Sequence, residues 1–186
     1  MLFVIISIIL YILFLIVIIT GFFRKRYHTF LPTLPVYPNS YKEIKLVEKA
    51  INNRTVNDIE FFKFTDNSPH EPFLYHVDLP EKEVFRLMKE KDHIIYFLKY
   101  IINRPRPKQI NNNLDILKSK TADTAAFPAG HAFQAYYLAK KLGKKYKDKK
   151  KVFEKIAKEC DETRVKAGLH YPSDGKFSKY LVDLLF

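Results

Sequence analysis

The sequence predicts an all-α protein, a helical bundle preceded by one transmembrane helix. Two observations lead to this prediction. After residue 40, apolar side chains recur at three- and four-residue steps, the period of a helix that buries one face. Before it, residues 1–23 carry no charged side chain. At about 1.5 Å per residue, that stretch is long enough as a helix to cross a hydrocarbon core of roughly 30 Å.

The first segment is predicted to be a membrane anchor, with a cleaved signal peptide as the alternative. No basic residue precedes the apolar run, the run is longer than a signal-peptide core, and no small-x-small cleavage site follows it. Arg24, Lys25 and Arg26 follow immediately. The positive-inside rule therefore predicts a single-pass membrane protein whose domain lies on the cytoplasmic side.

Composition limits the domain organisation and the partners of the rest of the chain. Residues 24–40 form a basic, proline-rich linker, and residues 41–186 are long enough for one domain. Cys160 is the only cysteine, which excludes an intrachain disulfide. The net charge of +12 predicts an anionic surface or substrate. Nucleic acid is not an expected partner, because no nucleic-acid-binding motif is present, and the oligomeric state is not indicated.

The helices of the domain follow from the apolar period. Short helices are predicted over 42–52 and 56–64, and one long amphipathic helix over 81–103. A helix over 130–145 carries a stripe of small residues suited to close packing. Another helix spans 151–167, and the closing segment FSKYLVDLLF (177–186) is apolar enough for a last packed helix. Long loops are predicted between several of these helices.

Arg164 continues the apolar stripe of the helix over 151–167. A guanidinium stays charged in proteins and is costly to bury without an anion. Taken alone, Arg164 is explained by a carboxylate partner at the edge of the core. A phosphate would satisfy it equally well.

His170 and Asp174 lie four residues apart with Pro172 between them. Pro172 is predicted to end the preceding helix and leave His170 in a turn, with Ser173 as the cap of the next helix. Asp174 then folds back and accepts the Nδ1 proton, which leaves Nε2 of His170 as an aimed nucleophile. A structural, hydrogen-bonded histidine is the alternative.

A second histidine, His131, follows Pro128 and Gly130 at the predicted start of a helix. The first amides and the positive dipole end of a helix form an anion site. Bound phosphate would keep His131 protonated and allow it to act as a general acid. A hydrogen-bonded histidine at a helix start is the alternative.

Two further cations, Lys99 and Arg106, complete the pattern. Lys99 is predicted near the end of the long helix, and Arg106 is fixed in an extended segment by Pro105 and Pro107. With Arg164 they supply three cations, which match the three equatorial oxygens of a transferring phosphoryl group. No metal or cofactor is needed for this match. A solvated basic loop is the alternative for any one of them.

The three pieces together resemble the signature of the type 2 phosphatidic acid phosphatase (PAP2) superfamily. They read Lys-x6-Arg-Pro at 99–107, Pro-Ala-Gly-His at 128–131 and Thr-Arg-x5-His-x3-Asp at 163–174, in the family's order and spacing. The superfamily also contains the bacterial class A acid phosphatases and the vanadium haloperoxidases. The resemblance implies the family's helical fold and its phosphohistidine chemistry.

The resemblance also implies a role for each matching residue. His170 would attack phosphorus, Asp174 would orient it, and His131 would protonate the leaving group. The phosphate would be bound by Lys99, Arg106, Arg164 and the backbone amide of Gly130.

Two positions depart from the family pattern. Ala129 stands where serine is usual, which removes one hydroxyl donor, whereas Thr163 replaces a serine and keeps its hydroxyl. Lipid phosphatases of the family also weave their core through several membrane spans, and this sequence predicts one. The family members with a soluble core are therefore the closer analogy.

The sequence thus predicts a membrane-anchored, metal-independent phosphatase for phosphomonoesters or diphosphates. Its substrate would be a phosphorylated small molecule or a lipid phosphate of the same membrane. A vanadate-dependent haloperoxidase is an alternative enzyme built from the same residues. A non-catalytic module that binds phosphate or lipid is an alternative of another class.

Overall fold

The computed structural model describes residues 2–20 and 36–186, and within the first range the side chains of residues 5–15. These residues contain α-helices and one short 3-10 helix, and no strand. The all-α prediction is therefore confirmed. In chain order the α-helices are α1 Leu2–Thr20, α2 Ser40–Asn52, α3 Val56–Thr65, α4 Glu71–Leu74, α5 Glu81–Lys89, α6 Asp92–Ile102, α7 Pro107–Ile110, α8 Gly130–Lys145, α9 Lys150–Lys166 and α10 Pro172–Leu185.

Helix α1 covers most of the segment predicted as an anchor. Its 19 residues include no charged side chain, and the Phe14 ring lies 5.4 Å from the Phe97 ring of α6. In the part of the chain whose side chains are described, no helix is long and apolar enough to cross a membrane. Residues 21–35, which hold the end of the predicted anchor and most of the predicted linker, lie outside the described residues.

Helix α8 lies at the centre of the domain and packs against α5, α6, α9 and α10. The predicted small-residue stripe is buried, with Ala132 and Ala135 fully inaccessible. On one side Leu138 and Leu142 pack with Phe153 of α9. On the other, larger side chains of α8 pack with α6 and α10 in a second cluster of Ile95, Phe133, Tyr137, Leu181 and Val182.

The segment 81–103 is two helices, so the prediction of one long helix is wrong. Residues 89–92 are all charged and supply no apolar side chain to hold a continuous helix against the core. Asp92 instead turns inward, where its carboxylate accepts hydrogen bonds of 2.8 and 3.0 Å from Gln134 of α8. The chain therefore bends, and α6 begins at Asp92.

The start of α10 also differs from the prediction. Pro172 is its first residue and does not end α9, which stops at Lys166. Ser173 is not the cap but the second residue of α10, whose N-cap is Tyr171, and the Asp174 carboxylate accepts from the Tyr171 amide at 2.9 Å. Ser173 uses its hydroxyl to donate to Glu43 at 2.5 Å. The backbone N–H of the first helical residue has no partner within the helix, and proline has no N–H to leave unpaired. Proline is therefore favoured at this first position.

Candidate active site

One cavity of about 250 Å³ brings together residues from three separate parts of the chain. It lies where α6, the start of α8, the end of α9 and the loop over 111–129 meet. Six residues singled out in the sequence line it: Lys99, Arg106, Gly130, His131, Arg164 and His170. The seventh, Asp174, contacts His170 from α10.

His170 is buried in the turn after α9, as predicted. Its Nδ1 lies 3.1 Å from Oδ2 of Asp174, and its Nε2 lies 3.3 Å from Nη1 of Arg106. A guanidinium only donates, so we assign the proton to Nδ1 and the lone pair to Nε2. Burial, with Arg106, Lys99 and Arg164 nearby, holds the pKa of His170 well below its usual range. The ring is therefore a neutral imidazole whose Nε2 lone pair faces the guanidinium of Arg106.

The turn that carries His170 depends on Gly168. This residue has φ +76°, a left-handed conformation that glycine adopts without strain. A Cβ at this position would also lie 2.7 Å from Cγ2 of Ile116. Gly168 thus lets the chain leave α9 just after Arg164 and bring His170 back beside it.

Arg104 contacts Asp174 on the side away from His170, and no motif in the sequence marks it as a site residue. Its guanidinium is fully buried and donates to Asp174 Oδ1 at 2.6 Å and to Glu43 Oε2 at 2.8 Å. It also stacks on the Tyr171 ring at 3.8 Å. Burial raises the pKa of the Asp174 carboxyl, and Arg104 opposes that rise. The only available signal was its place in the segment NRPRP, beside Arg106.

The side chains of Lys99 and Arg106 line the cavity and are held in place by hydrogen bonds to backbone carbonyls. Nζ of Lys99 donates to the carbonyl oxygens of Ala125 and Ala126. Arg106 is extended, as predicted, and donates to the carbonyls of Thr124 at 2.7 Å and Leu169 at 2.9 Å. Burial and the neighbouring cations lower the pKa of Arg106 to about 10, and that of Lys99 falls well below its usual range.

Arg164 has the carboxylate partner that its burial demands, and that partner is Asp66. Nη1 of Arg164 lies 2.8 Å from Oδ1 of Asp66, and Nη2 donates to Ser119 at 3.2 Å. Its buried Nε has no hydrogen-bond partner among the described residues. One donor therefore remains for another anion in a cavity that Arg164 lines. No motif marks Asp66 in the sequence, because its role depends on packing across 98 positions.

His131 lies at the second position of α8, whose first turn has no side-chain cap. Its Nε2 lies 2.9 Å from the carbonyl oxygen of Asp66, so we assign Nε2 as the donor and Nδ1 as the nitrogen that gains or loses a proton. Burial and Arg164 hold the pKa of His131 well below its usual range. His131 is therefore neutral until an anion arrives to offset those cations.

The two positions that depart from the PAP2 pattern, Ala129 and Thr163, do not line the cavity. Ala129 is the fully buried N-cap residue of α8, and Thr163 is buried in α9. A serine at an N-cap accepts from an amide of its own helix. Alanine at this position therefore leaves the first amides of α8 free for an anion.

Cations dominate the walls of the cavity. Five cationic side chains line it, Lys89, Lys99, Lys120, Arg106 and Arg164, against two carboxylates, Asp92 and Asp123. Asp92 is already bonded to Gln134 and lies 3.2 Å from Lys89. Crowded buried cations lower one another's pKa, and a bound dianion would relieve that repulsion. The arrangement is therefore suited to a small, doubly charged anion.

Comparison with known proteins adds no relative. No protein-family model matches the chain, and no curated protein matches it.

Proposed function

We propose that this protein is a metal-independent phosphatase of the PAP2 type, acting on phosphomonoesters or diphosphates through a phosphohistidine. One observation carries the proposal: three segments separated in the chain direct three cations, two imidazoles and an uncapped helix start at one cavity of about 250 Å³. A chance basic loop would not collect both histidines, nor orient one of them with a buried aspartate.

The reaction begins with an attack by Nε2 of His170 on phosphorus. The N–P bond forms as the P–O bond to the leaving group breaks, and His131 donates its Nδ1 proton to the departing oxygen. Lys99, Arg106 and Arg164 hold the three equatorial oxygens, where negative charge is spread in the transition state. Asp174 stabilises the charge that His170 gains.

The second step returns the site to its starting state. His131, now neutral, accepts a proton from water as the water oxygen attacks the phosphohistidine. The N–P bond breaks, and inorganic phosphate leaves. The same imidazole serves as acid and then as base, so no further titratable group is needed.

The cavity volume limits the substrate class. About 250 Å³ lies below the usual range of 300–1,000 Å³ for pockets that enclose a whole drug-sized ligand. The cavity would therefore enclose the phosphoryl group and leave the rest of the substrate outside. A soluble phosphomonoester and the headgroup of a lipid phosphate both meet this condition.

We also propose that residues 1–23 anchor the protein in a membrane, with the domain on the cytoplasmic side. Support comes from the uncharged sequence and from exposed apolar side chains of α1, including Ile8, Leu10 and Leu13, which are 52, 61 and 52% accessible. Helix α6 links this segment to the cavity, because it carries Phe97 against Phe14 and Lys99 into the cavity. A lipid phosphate of the same membrane is thus a natural candidate substrate.

The deciding experiment is hydrolysis by the full chain in detergent, with phosphatidate, isoprenyl diphosphates and soluble phosphomonoesters as substrates. We expect turnover that EDTA leaves intact and vanadate inhibits. His170→Ala should abolish turnover, because no nucleophile remains. An acid-labile, base-stable phosphoenzyme should be trapped in the wild type and not in His170→Ala. The exposed His93→Ala is the matched control and should retain activity.

Two results would contradict the proposal. Substantial turnover by folded His170→Ala would exclude the phosphohistidine. Tight phosphate binding without hydrolysis of any substrate would identify a non-catalytic binding module.

A further inference from the structure

A second cluster of ligand atoms lies outside the cavity, at the starts of α4 and α5. It consists of His70, Glu71 and Glu81, whose ligand atoms all lie within 4.8 Å of one another. Glu71 is the first residue of α4 and Glu81 the first residue of α5. None of the three lines the cavity of the candidate active site.

His70 provides an observation independent of the carboxylates. The residue is 3% exposed, and its buried Nε2 has no hydrogen-bond partner among the described residues. An unpaired buried polar atom is costly, so such an atom calls for a partner that the protein itself does not supply. The nearest carboxylate oxygen, Oε1 of Glu81, lies 3.6 Å away, beyond hydrogen-bond distance.

Nδ1 of His70 contacts the hydroxyl of Ser68. Ser68 Oγ lies 2.7 Å from Nδ1 and 3.5 Å from Sδ of Met88. Metal binding through Nε2 uses the tautomer in which Nδ1–H donates to Ser68, whose own hydroxyl hydrogen then turns toward Met88. A hydrogen bond from one ring nitrogen is what orients the other toward a metal.

We propose that His70, Glu71 and Glu81 bind one divalent transition-metal ion, with Zn²⁺ the best match. One imidazole and two carboxylates suit Zn²⁺, which takes three protein ligands and a water in open sites. Two ligand atoms of a tetrahedral zinc are separated by about 3.4 Å, given bonds of roughly 2.0–2.2 Å. The 3.6 Å between Nε2 and Oε1 is already close to that spacing. Glu81 is 68% exposed, so it is free to adjust.

The ion would join the starts of two helices and fix the segment between them. It would also hold the end of the segment 66–70, in which Asp66 pairs with Arg164 and accepts from His131. The role is therefore structural and separate from phosphoryl transfer. Removing the ion should lower thermal stability while leaving the chemistry at His170 intact.

The test is zinc binding by the full chain in detergent, purified without a polyhistidine tag and stripped with chelator. We expect one equivalent of Zn²⁺ to bind in competition with a chromogenic chelator, and the Tm to rise with it. Glu71→Gln and Glu81→Gln should each weaken binding by at least about tenfold. Glu83→Gln, on the same turn of α5 but outside the cluster, is the matched control and should bind as the wild type does.

Cobalt gives a second readout, because its visible absorption reports the ligand set. Co²⁺ should produce a spectrum in the wild type that Glu81→Gln alters and Glu83→Gln preserves. The glutamine variants decide the outcome even if His70→Ala fails to fold, since Glu71 is part-exposed and Glu81 exposed. Unchanged zinc affinity in both Glu71→Gln and Glu81→Gln, or no stoichiometric binding by the wild type, would overturn the proposal.

Discussion

Arg104 holds the carboxylate that orients His170, and it does so from a fully buried position. Its donors serve Asp174, Glu43, Ser40, Ser173 and the carbonyl oxygen of Pro38. These contacts use the fork of the guanidinium, which a lysine ammonium does not reproduce. Arg104 is therefore a positioning residue that acts through Asp174.

Arg104→Lys should lower kcat/KM by about 10- to 100-fold, the usual cost of removing a group that orients a site residue. It should also move the acidic limb of the pH profile to higher pH. Burial raises the pKa of Asp174 and Arg104 opposes it, so a weaker cation leaves that pKa higher and the carboxylate is lost earlier as pH falls. The measurement is kcat/KM against pH.

The control is Arg54→Lys, which alters a pair with the exposed carboxylate of Asp115. It should leave the pH profile unchanged. A folded Arg104→Lys protein with the profile of the wild type would contradict the positioning role.

For contacts between individual residues, the separation in sequence decided which ones were predictable. His170 and Asp174 are four positions apart, on either side of the start of α10, so local geometry brings them together. Arg164 and Asp66 are 98 positions apart, and Arg104 and Glu43 are 61. The need for a carboxylate partner could be predicted from the charge of a buried arginine. Which acidic residue supplies it depends on packing that one sequence does not reveal.

Helices α9 and α10 touch at Gly175, one residue after Asp174. A Cβ on Gly175 would lie 1.7 Å from Oδ1 and 2.3 Å from Cγ of Asp161. Asp161 is held by a 3.0 Å hydrogen bond from Tyr136, and burial raises its pKa to about 7. The whole carboxylate, and not a flexible side-chain end, occupies the space of the missing methyl group.

Gly175→Ala should therefore lower the free energy of unfolding by about 1–3 kcal/mol, the usual cost of overpacking. It should also reduce kcat/KM, because the displacement begins beside Asp174. Adding Asp161→Ala removes the obstructing carboxylate and should restore much of the lost stability and of the lost kcat/KM. Chemical denaturation and steady-state kinetics on the single and double variants measure the coupling.

Gly143→Ala in α8 is the matched control, since its Cβ would meet the side chain of Lys150 at 3.2 Å. A shift of a few tenths of an ångström relieves that contact, and alanine favours a helix more than glycine does, so any loss of stability should be much smaller than in Gly175→Ala. Equal losses in Gly175→Ala and in its double variant with Asp161→Ala would show that the carboxylate is not the obstacle.

Helix existence was predictable, and helix boundaries were less so. The apolar period predicted α2, α3, α8 and α9 to within a few residues of their observed bounds. It resumed after the charged residues 89–92 at helical spacing, so it did not reveal the bend there, where Asp92 turns inward and accepts from Gln134. The start of α10 depended in the same way on side-chain contacts, because Asp174 accepts from the amide of Tyr171 while Ser173 donates to Glu43.

The two buried histidines of the candidate site make the stability of the folded protein depend on pH. His131 and His170 both have pKa values held well below the usual range, chiefly by burial. Below about pH 6.5 an unfolded chain protonates these histidines while the native site resists. The unfolded state then binds more protons, so stability falls as pH falls through that region. An anion that offsets the cations should reverse this effect.

Sulfate should therefore raise the Tm more at pH 6 than at pH 8, and its binding should be accompanied by net proton uptake. Sulfate is a suitable probe because it remains a dianion across this range, so any proton taken up enters the protein. The measurement is calorimetric titration in buffers of different ionisation enthalpy. His131→Ala should reduce the uptake, whereas exposed His93→Ala should not. Net proton release from the wild type would contradict this linkage.

The fold class and the positive charge were properties of the whole chain that composition and periodicity could predict. The convergence of three motifs on one cavity was predictable only through the resemblance, since no spacing rule brings residues 99, 131 and 170 together. The membrane anchor and its orientation remain predictions. The anchor rests on the uncharged residues 1–23, and the orientation rests on Arg24, Lys25 and Arg26. These three basic residues lie outside the described residues.

The contact between Glu43 and Ser173 has a consequence during biosynthesis. The amide and hydroxyl of Ser173 both donate to Glu43, although 130 positions separate the two residues. During synthesis the two residues can meet only after Ser173 has left the ribosome, because the chain is made from its amino terminus. A chain still emerging from the ribosome would already contain Lys99, Arg106 and His131 but no oriented nucleophile. The pairing of His170 with Asp174, on which the proposed hydrolysis rests, would therefore be completed only after synthesis has passed Asp174.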